Sequence, residues 1–413
     1  MDFFKKILRP LLPQWAINYF YHLPLAILAN IVFGFPTRGM KVIGVTGTDG
    51  KTTTINMIYQ ILKESGKKVS MVSTVNAFVS GKSYDTGFHV TSPDPFLVQK
   101  FAKFAKENGD EYLVLEVTSH ALDQFRFWGI RFDVGVITNI THEHLDYHKT
   151  QENYRNTKFK LFNGVEFAVI NENLKQFIKR SLHELTGVKI LTFGVDKGDF
   201  NQKEIKLKLK LLGDYNLENA LAALGVAFTQ NIDRKIAQKV LEKFESVEGR
   251  MQEVKNKLGL KIIIDYAHTP NGLEQVLNTL RSHLKSGKLI SLIGCEGHRD
   301  EGKRAMMGEI ATRLSDIVVV TSVDPRGQQN IINRQISEGA IRGGAKMGEN
   351  FFIIEDRQEA IDFAIKKIAQ KGDLVGIFGK GHEKSMNMDG KGEKPWSDLK
   401  AVKQVLSSLS HLE

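Results

Sequence analysis

The sequence predicts an α/β protein built on parallel sheets in two successive domains. Three observations predict it. From residue 41 onward, short apolar runs alternate with helical patterns, as strands joined by helical crossovers do. That alternation occurs twice, before and after the stretch SVEGRM at 246–251. The first apolar run, VIGV at 42–45, leads into the glycine-rich GTDGKTTT. A turn of that kind between a strand and a helix wraps phosphate with its backbone N–H groups. The expected order is an apolar helical segment over residues 1–40, a P-loop-type parallel-sheet central ATPase domain over 41–246, and a Rossmann-like C-terminal α/β domain over 247–413.

Each element follows from its residues. WAINYFYHLPLAILANIVFGF at 15–35 is apolar and aromatic but broken by Asn18, His22, Pro24 and Asn30. It reads first as a helical segment packed on the body. An interfacial membrane helix flanked by Lys5, Lys6 and Arg9 is the second reading, and a true span the third. Strand-like runs follow at 42–45, 112–117, 134–139 and 167–171, with helical patterns at 52–65 and 95–108. KLKLK at 206–210 alternates like the solvated face of a strand. The second series has strand-like runs at 261–265, 289–294, 317–322, 351–355 and 374–379.

The bulk numbers bound the function. A chain of 413 residues has the length of two or three domains, and 42% apolar content fills ordinary cores. Fifty-seven basic residues against 47 acidic give +10, but the lysines are dispersed, with no basic stripe interleaved with aromatics. An anionic small substrate therefore fits better than nucleic acid. One cysteine, Cys295, excludes a disulfide framework within the chain and suits a reducing cytoplasm.

In an open α/β sheet, functional groups gather at the C-terminal ends of strands. The first strand ends in the phosphate loop. Its spacing is not the usual one, because Gly44 stands one place too early, so the candidate loop is GTDGKT at 47–52. The second strand ends in EVTSHALDQFR at 116–126, and the third in TNITHEHLDYH at 138–148. Glu116, a carboxylate closing an apolar strand, reads as an Mg²⁺ ligand beside the Thr52 hydroxyl, or else as an edge carboxylate. The histidines of HEHLDYH lack the helical zinc spacing, which favours a single histidine on Mg²⁺ or substrate over zinc.

These motifs occur in order with YRNTKFKLF, GDYNLENALAA, GRMQEV, DYAHTPNGLEQVL, GCEGHRDEGKRAMMGEIA and GKGHE. From residue 41 to the C-terminus the chain closely resembles the Mur ligase family of peptidoglycan synthesis, most closely the type that adds the third peptide residue. The resemblance implies ATP-dependent amide formation through an acyl phosphate, with Mg²⁺. By motif it implies that Gly47, Thr48, Asp49, Gly50, Lys51, Thr52 and Thr53 bind nucleotide, with Asn139 on the adenine side. Asp265, Tyr266, His268, Arg299, Asp300 and Lys303 are implied on the nucleotide side of the second domain. Thr52, Glu116, His144 and Lys158 would serve the metals, Lys158 as a carbamate, and Lys51 joins Glu116, His144 and Lys158 as the catalytic set. Carbamylation turns an ammonium, which repels Mg²⁺, into an anionic oxygen ligand. Thr91 and Ser92, with Ser119 and Arg126, would touch the UDP-muramoyl dipeptide. Asp324, Arg326, Gly379 and Glu383 would hold the amino acid, and a bidentate Arg326 favours meso-diaminopimelate over L-lysine.

The chain departs from the family's pattern in four places. About 40 residues precede the phosphate loop, short of the roughly 50 of a small domain, where the family has its uridine-diphosphate-binding domain. The family's DNPR reads VDPR at 323–326, the region between 193 and 212 is short, and Glu143 stands where an Asp is usual. Alternatives are a ligase acting on a lipid-linked muramoyl peptide, a ligase like folylpolyglutamate synthetase, or an ATP-binding scaffold at the membrane. A relative that amidates the lipid-linked precursor carries a cysteine-rich zinc element, which one cysteine cannot supply. The apolar segment 1–40 would add a peripheral contact at the inner face of the membrane.

Overall fold

The computed structural model describes residues 12–73, 76–84, 94–177 and 187–410. The chain forms two compact units, one of residues 1–140, 150–210 and 214–244, the other of 141–149, 211–213 and 245–413.

The first unit carries a nine-stranded sheet. Its strands in chain order are β1 (Lys41–Thr46), β2 (Val69–Val72), β3 (Ala77–Val79), β4 (Lys82–Tyr84), β5 (Tyr112–Glu116), β6 (Val134–Ile137), β7 (Phe167–Asn171), β8 (Lys189–Gly194) and β9 (Phe200–Asn201). Their order in the sheet is β4-β3-β2-β5-β1-β6-β7-β8-β9. All neighbours are parallel except the β2–β3 and β3–β4 pairs. Strands β5 and β6 are buried along their whole length, which is why they read as unbroken apolar runs rather than as alternation. Register sets Val45 opposite Glu116 and Thr46 opposite Ile137, so the C-terminal ends of β5, β1 and β6 come out side by side.

The expected strand at 206–210 is corrected. Leu207 is buried between exposed lysines, so the alternation is present, but Lys206 turns the chain with φ 53° and the stretch joins no ladder. The helix Pro95–Glu107 begins where the sequence signals it, with Asp94 capping the N–H groups of Phe96 and Leu97 and proline in the first turn.

Residues Gln14–Phe33 form one continuous helical stretch, with a π turn at Asn18–His22, ending at Gly34 with φ 70°. It packs on the first unit through two buried asparagines. The Asn18 amide donates to Asp123 at 2.8 Å, and Asn30 donates to the Trp128 carbonyl at 2.7 Å.

The second unit carries a six-stranded sheet of β10 (Gln252–Val254), β11 (Lys261–Asp265), β12 (Leu289–Ile293), β13 (Ile317–Val320), β14 (Phe351–Ile353) and β15 (Leu374–Phe378), in the order β10-β11-β15-β12-β13-β14. Only β10 runs antiparallel. Its core is mostly aliphatic, with Ile262, Ile264, Ile290, Val319 and Ile377 fully buried in one cluster.

Candidate active site

In the first unit the loop after β1 closes onto its neighbours. Gly50 starts the helix Lys51–Glu64 with φ 81°, a backbone that favours glycine, and a Cβ there would strike the Asn219 side chain. Asn219 lies in the helix Asp214–Thr229 and also accepts from the Thr54 hydroxyl at 3.2 Å. The strand end after β6 braces the loop. The Thr138 hydroxyl donates to the Asp49 carbonyl at 2.6 Å, and Asn139 accepts from the Asp49 N–H at 2.9 Å. The Lys51 ammonium lies over the loop, donating to the carbonyls of Gly47 at 3.1 Å and Thr48 at 2.9 Å. Thr53 is buried in the same first turn.

Around that turn stand the proposed metal ligands. The Thr52 hydroxyl donates to both carboxylate oxygens of Glu116, at 3.1 and 3.2 Å, and both residues are buried. Adjacent hydroxyl and carboxylate oxygens at a phosphate loop are the donor set Mg²⁺ takes, so these residues fit it. Lys158, on the helix Gln151–Phe159, is 1% exposed. Its amine donates to the Gly47 carbonyl at 2.7 Å and lies over the Tyr154 ring, whose hydroxyl reaches Thr48 at 3.1 Å. Ser119 is buried at the start of the short helix Ser119–Asp123, and Arg126 is tied to Gln124 at 2.7 Å. Thr91 and Ser92 lie outside the described residues.

His144 belongs to the segment 141–149 of the second unit, where its backbone has φ 57° and its ring lies 3.8 Å from Glu143. Glu143 is buried and accepts from the Lys303 ammonium at 3.1 Å. Burial pushes the Lys303 amine down, but Glu143 and Glu296 outweigh it and hold the amine above its ordinary range. Asp300 faces His142 at 3.7 Å and caps Gly302 at 2.9 Å.

Asp265 ends β11, and its two oxygens accept from the N–H groups of Met251 at 2.6 Å and Ala267 at 2.7 Å. That fixes the turn carrying Tyr266 and His268, whose rings lie 4.5 Å apart, with the Arg250 guanidinium over Tyr266 at 4.4 Å. Gly249 packs so tightly on Gly381 and His382 that a Cβ there would overlap their backbone.

The ends of β13 and β15 build a charged pocket. Asp324 is fully buried with φ 43° and accepts from the Lys380 ammonium through both oxygens at 3.1 Å. Lys380 also pairs with Glu383, which accepts from the Tyr266 hydroxyl at 3.3 Å. Arg326 donates to the Gly297 carbonyl at 3.1 Å and lies 4.0 Å from Asp324. Glu296, bonded to Arg299 at 3.1 Å, brings a third carboxylate, and those of Glu296, Asp324 and Glu383 lie within 4.8 Å of one another. Burial raises the Glu296 carboxyl, but Arg299, Lys303, His268 and Arg326 overcome it and bring its pKa down to about 2. Gly379 turns into this pocket with φ 101°. Three anions balanced by two arginines and a lysine suit a ligand carrying both ammonium and carboxylate groups.

Two family models match the chain, the Mur ligase middle domain over residues 45–227 and the Mur ligase glutamate ligase domain over 249–381. This chain belongs to the Mur ligase family. Among its relatives is the UDP-N-acetylmuramoyl-L-alanyl-D-glutamate–2,6-diaminopimelate ligase of Clostridium botulinum, 38% identical over 382 residues, covering 87% of this chain and 76% of the relative. The enzyme of the same name from Aquifex aeolicus is 37% identical over 92% of this chain and 80% of its own. A solved structure of a ligase of that name matches with TM-score 0.57 at 30% identity, covering 90% of this chain and 79% of that one. The MurF ligase of Thermotoga maritima in complex with ADP shares the fold at 19% identity, with TM-score 0.67 over 95% of this chain and 85% of that one.

Within this Mur ligase, the first unit brings together residues 47–53, Glu116, Asn139 and Lys158, and the second brings together Asp324, Arg326, Gly379 and Glu383. Sequence reasoning had not singled out Asn219, Tyr154 or Glu296, although they stand inside the quoted GDYNLENALAA, YRNTKFKLF and GCEGHRDEGKRAMMGEIA; Lys380 lies in GKGHE between the expected Gly379 and Glu383. For Glu296 a charge just past a strand end was the available signal.

Proposed function

We propose that this Mur ligase joins the amine of meso-diaminopimelate to the D-Glu carboxylate of UDP-MurNAc-L-Ala-D-Glu, with ATP driving the bond. The arrangement that carries the reading is the phosphate loop with the Thr52–Glu116 pair at its helix start, in a chain whose relatives bear the name of that ligase. The loop amides and Lys51 would bind the ATP phosphates, with Asn139 toward the adenine. Asp265, His268, Arg299, Asp300 and Lys303 would act on the nucleotide from the second domain, over 247–413.

A substrate carboxylate oxygen attacks the γ-phosphorus, ADP leaves, and an acyl phosphate results. The amine nitrogen then attacks the acyl carbon, phosphate leaves, and the nitrogen gives up a proton. Mg²⁺ bound at Thr52 and Glu116, with a second served by His144, would neutralise phosphate charge. Lys158 acts as a carbamate. Its place in YRNTKFKLF and its burial beside the loop support that reading, and the carbamate would supply an anionic oxygen ligand. Ser119 and Arg126, with Thr91 and Ser92, hold the dipeptide, and Arg326 grips the distal carboxylate of the amino acid. We place the reaction in the cytoplasm, at the inner face of the membrane.

The test is mass spectrometry of the product from ATP, Mg²⁺ and the dipeptide, offered meso-diaminopimelate, L-lysine or L-ornithine separately. A diaminopimelate tripeptide is expected. No product from folded, ATP-binding protein would exclude the soluble acceptor. Carbamylation is read separately: ¹³C-bicarbonate should give a carbamate carbon resonance that K158R lacks.

A further inference from the structure

We propose that the outer face of the Gln14–Phe33 helix docks on the surface of an anionic lipid bilayer, as a peripheral contact and not as a span. Trp15, Tyr19 and Phe20 before and within the π turn, and Leu28, Ile31 and Val32 after it, are all exposed, Phe20 at 78% and Ile31 at 62%. Six large apolar side chains on the solvent side of one helix exceed the scattered exposure of an ordinary surface. By length and hydropathy the stretch could cross a bilayer, yet only 28% of it is buried in the fold.

Its inner face decides against crossing. Asn18 and Asn30, 4% and 0% exposed, are bonded sideways to Asp123 and to the Trp128 carbonyl. A spanning helix would have to break both bonds or drag the helix end at Asp123 and the turn at Trp128 into hydrocarbon, where polar groups need partners. A helix held along its length can instead lie in the interface with its free face in the acyl boundary, where Trp and Tyr are favoured.

Charge names the occupant. No acidic residue occurs between Asp2 and Asp49. Arg38, exposed, lies over the Phe35 ring at 4.2 Å, and that ring faces Trp128 at 6.5 Å. Lys106 donates to the Arg38 carbonyl at 3.1 Å, and Lys160 pairs with the same Asp123 that takes Asn18. Arg38 and Lys106 thus stand together just past the Gly34 end of the helix, and Lys160 is paired with Asp123 beside Asn18. An acidic headgroup layer complements Arg38 and Lys106 and a segment without acidic residues, whereas a second copy of the chain would set these like charges against each other. The proposal is independent of which carboxylate the ligase activates.

The test is co-sedimentation of the full chain with phosphatidylcholine vesicles, with and without about a third phosphatidylglycerol. Binding should require the anionic lipid. It should weaken between about 0.1 M and 1 M salt, as the screening length falls from about 10 Å to about 3 Å. W15S/F20S/I31S should abolish pelleting while leaving ATP binding and the circular dichroism spectrum unchanged. R38A/K106A, which keeps the apolar face, should lower partition about 25-fold, from about fivefold per basic group. Three results would each overturn the proposal: no binding of the unaltered chain to anionic vesicles, a concentration-dependent dimer that the triple variant dissolves, or resistance of the membrane-bound chain to alkaline carbonate extraction.

Discussion

At the scale of single residues, chemistry turns on a few buried polar contacts. The Thr52 hydroxyl and Glu116 carboxylate hold each other at the first turn of the phosphate-loop helix. T52A should lower kcat for ATP-dependent ligation by about 10²-fold, the scale of losing one contact to developing charge. Steady-state kinetics with quantified product checks this, and a change confined to KM for ATP would reassign Thr52 to ground-state binding. Glu296 makes a second prediction. Its folded pKa of about 2 lies below its ordinary 4.5, so its charge stabilises the fold fully above about pH 4.5 and progressively less as pH falls toward 2. Urea unfolding between pH 6 and 3.5 should cost the wild type on the order of 1 kcal/mol more than E296Q. Equal losses would mean that Glu296 is not held by Arg299 and Lys303 in the folded chain.

At the scale of elements, the charged pocket at the ends of β13 and β15 depends on a clamp some way along the sequence. Arg357, 1% exposed, makes a two-pronged pair with Asp398 at 2.7 and 2.8 Å and donates to the carbonyls of Ser322 at 3.3 Å and Phe378 at 2.9 Å. It thus joins the ends of β13 and β15, which carry Asp324 and Gly379, to the helix Asp398–Ser410. R357M leaves the buried Asp398 carboxylate without its guanidinium and should cost about 3–5 kcal/mol in denaturant unfolding. R357M/D398L should recover part of that loss, and if it were worse than R357M the clamp would be wrongly assigned. Element scale is also where sequence reading was uneven. Strands buried on both faces, such as β5 and β12, announce themselves as apolar runs. Lys82–Tyr84 and Phe200–Asn201 do not, because three or two residues are too few for a period. KLKLK had the period of a strand but joins no ladder, and Lys206 turns the chain with φ 53°.

Across the whole molecule, legibility follows where the chemistry sits. Glu116 and Asp265 end strands, and Asn139 and Asp324 follow β6 and β13 within four residues, where a polar residue after an apolar run can be seen. Asn219, Tyr154 and Arg357 work from helices, where one polar residue among apolar ones looks like ordinary amphipathy. The fully buried Asn30 was visible only as a break in an apolar stretch, and its hydrogen bond to Trp128 is what makes it a fastening. The central claim is that ATP held on the loop at 47–52 phosphorylates a carboxylate before the amine attacks. The most direct measurement uses UDP-MurNAc-L-Ala-D-Glu labelled with ¹⁸O in its D-Glu carboxyl groups, with ATP and meso-diaminopimelate, and weighs the phosphate released. One ¹⁸O per phosphate, matching tripeptide formed, is the predicted result. Unlabelled phosphate alongside product would contradict an acyl phosphate and the account built on it.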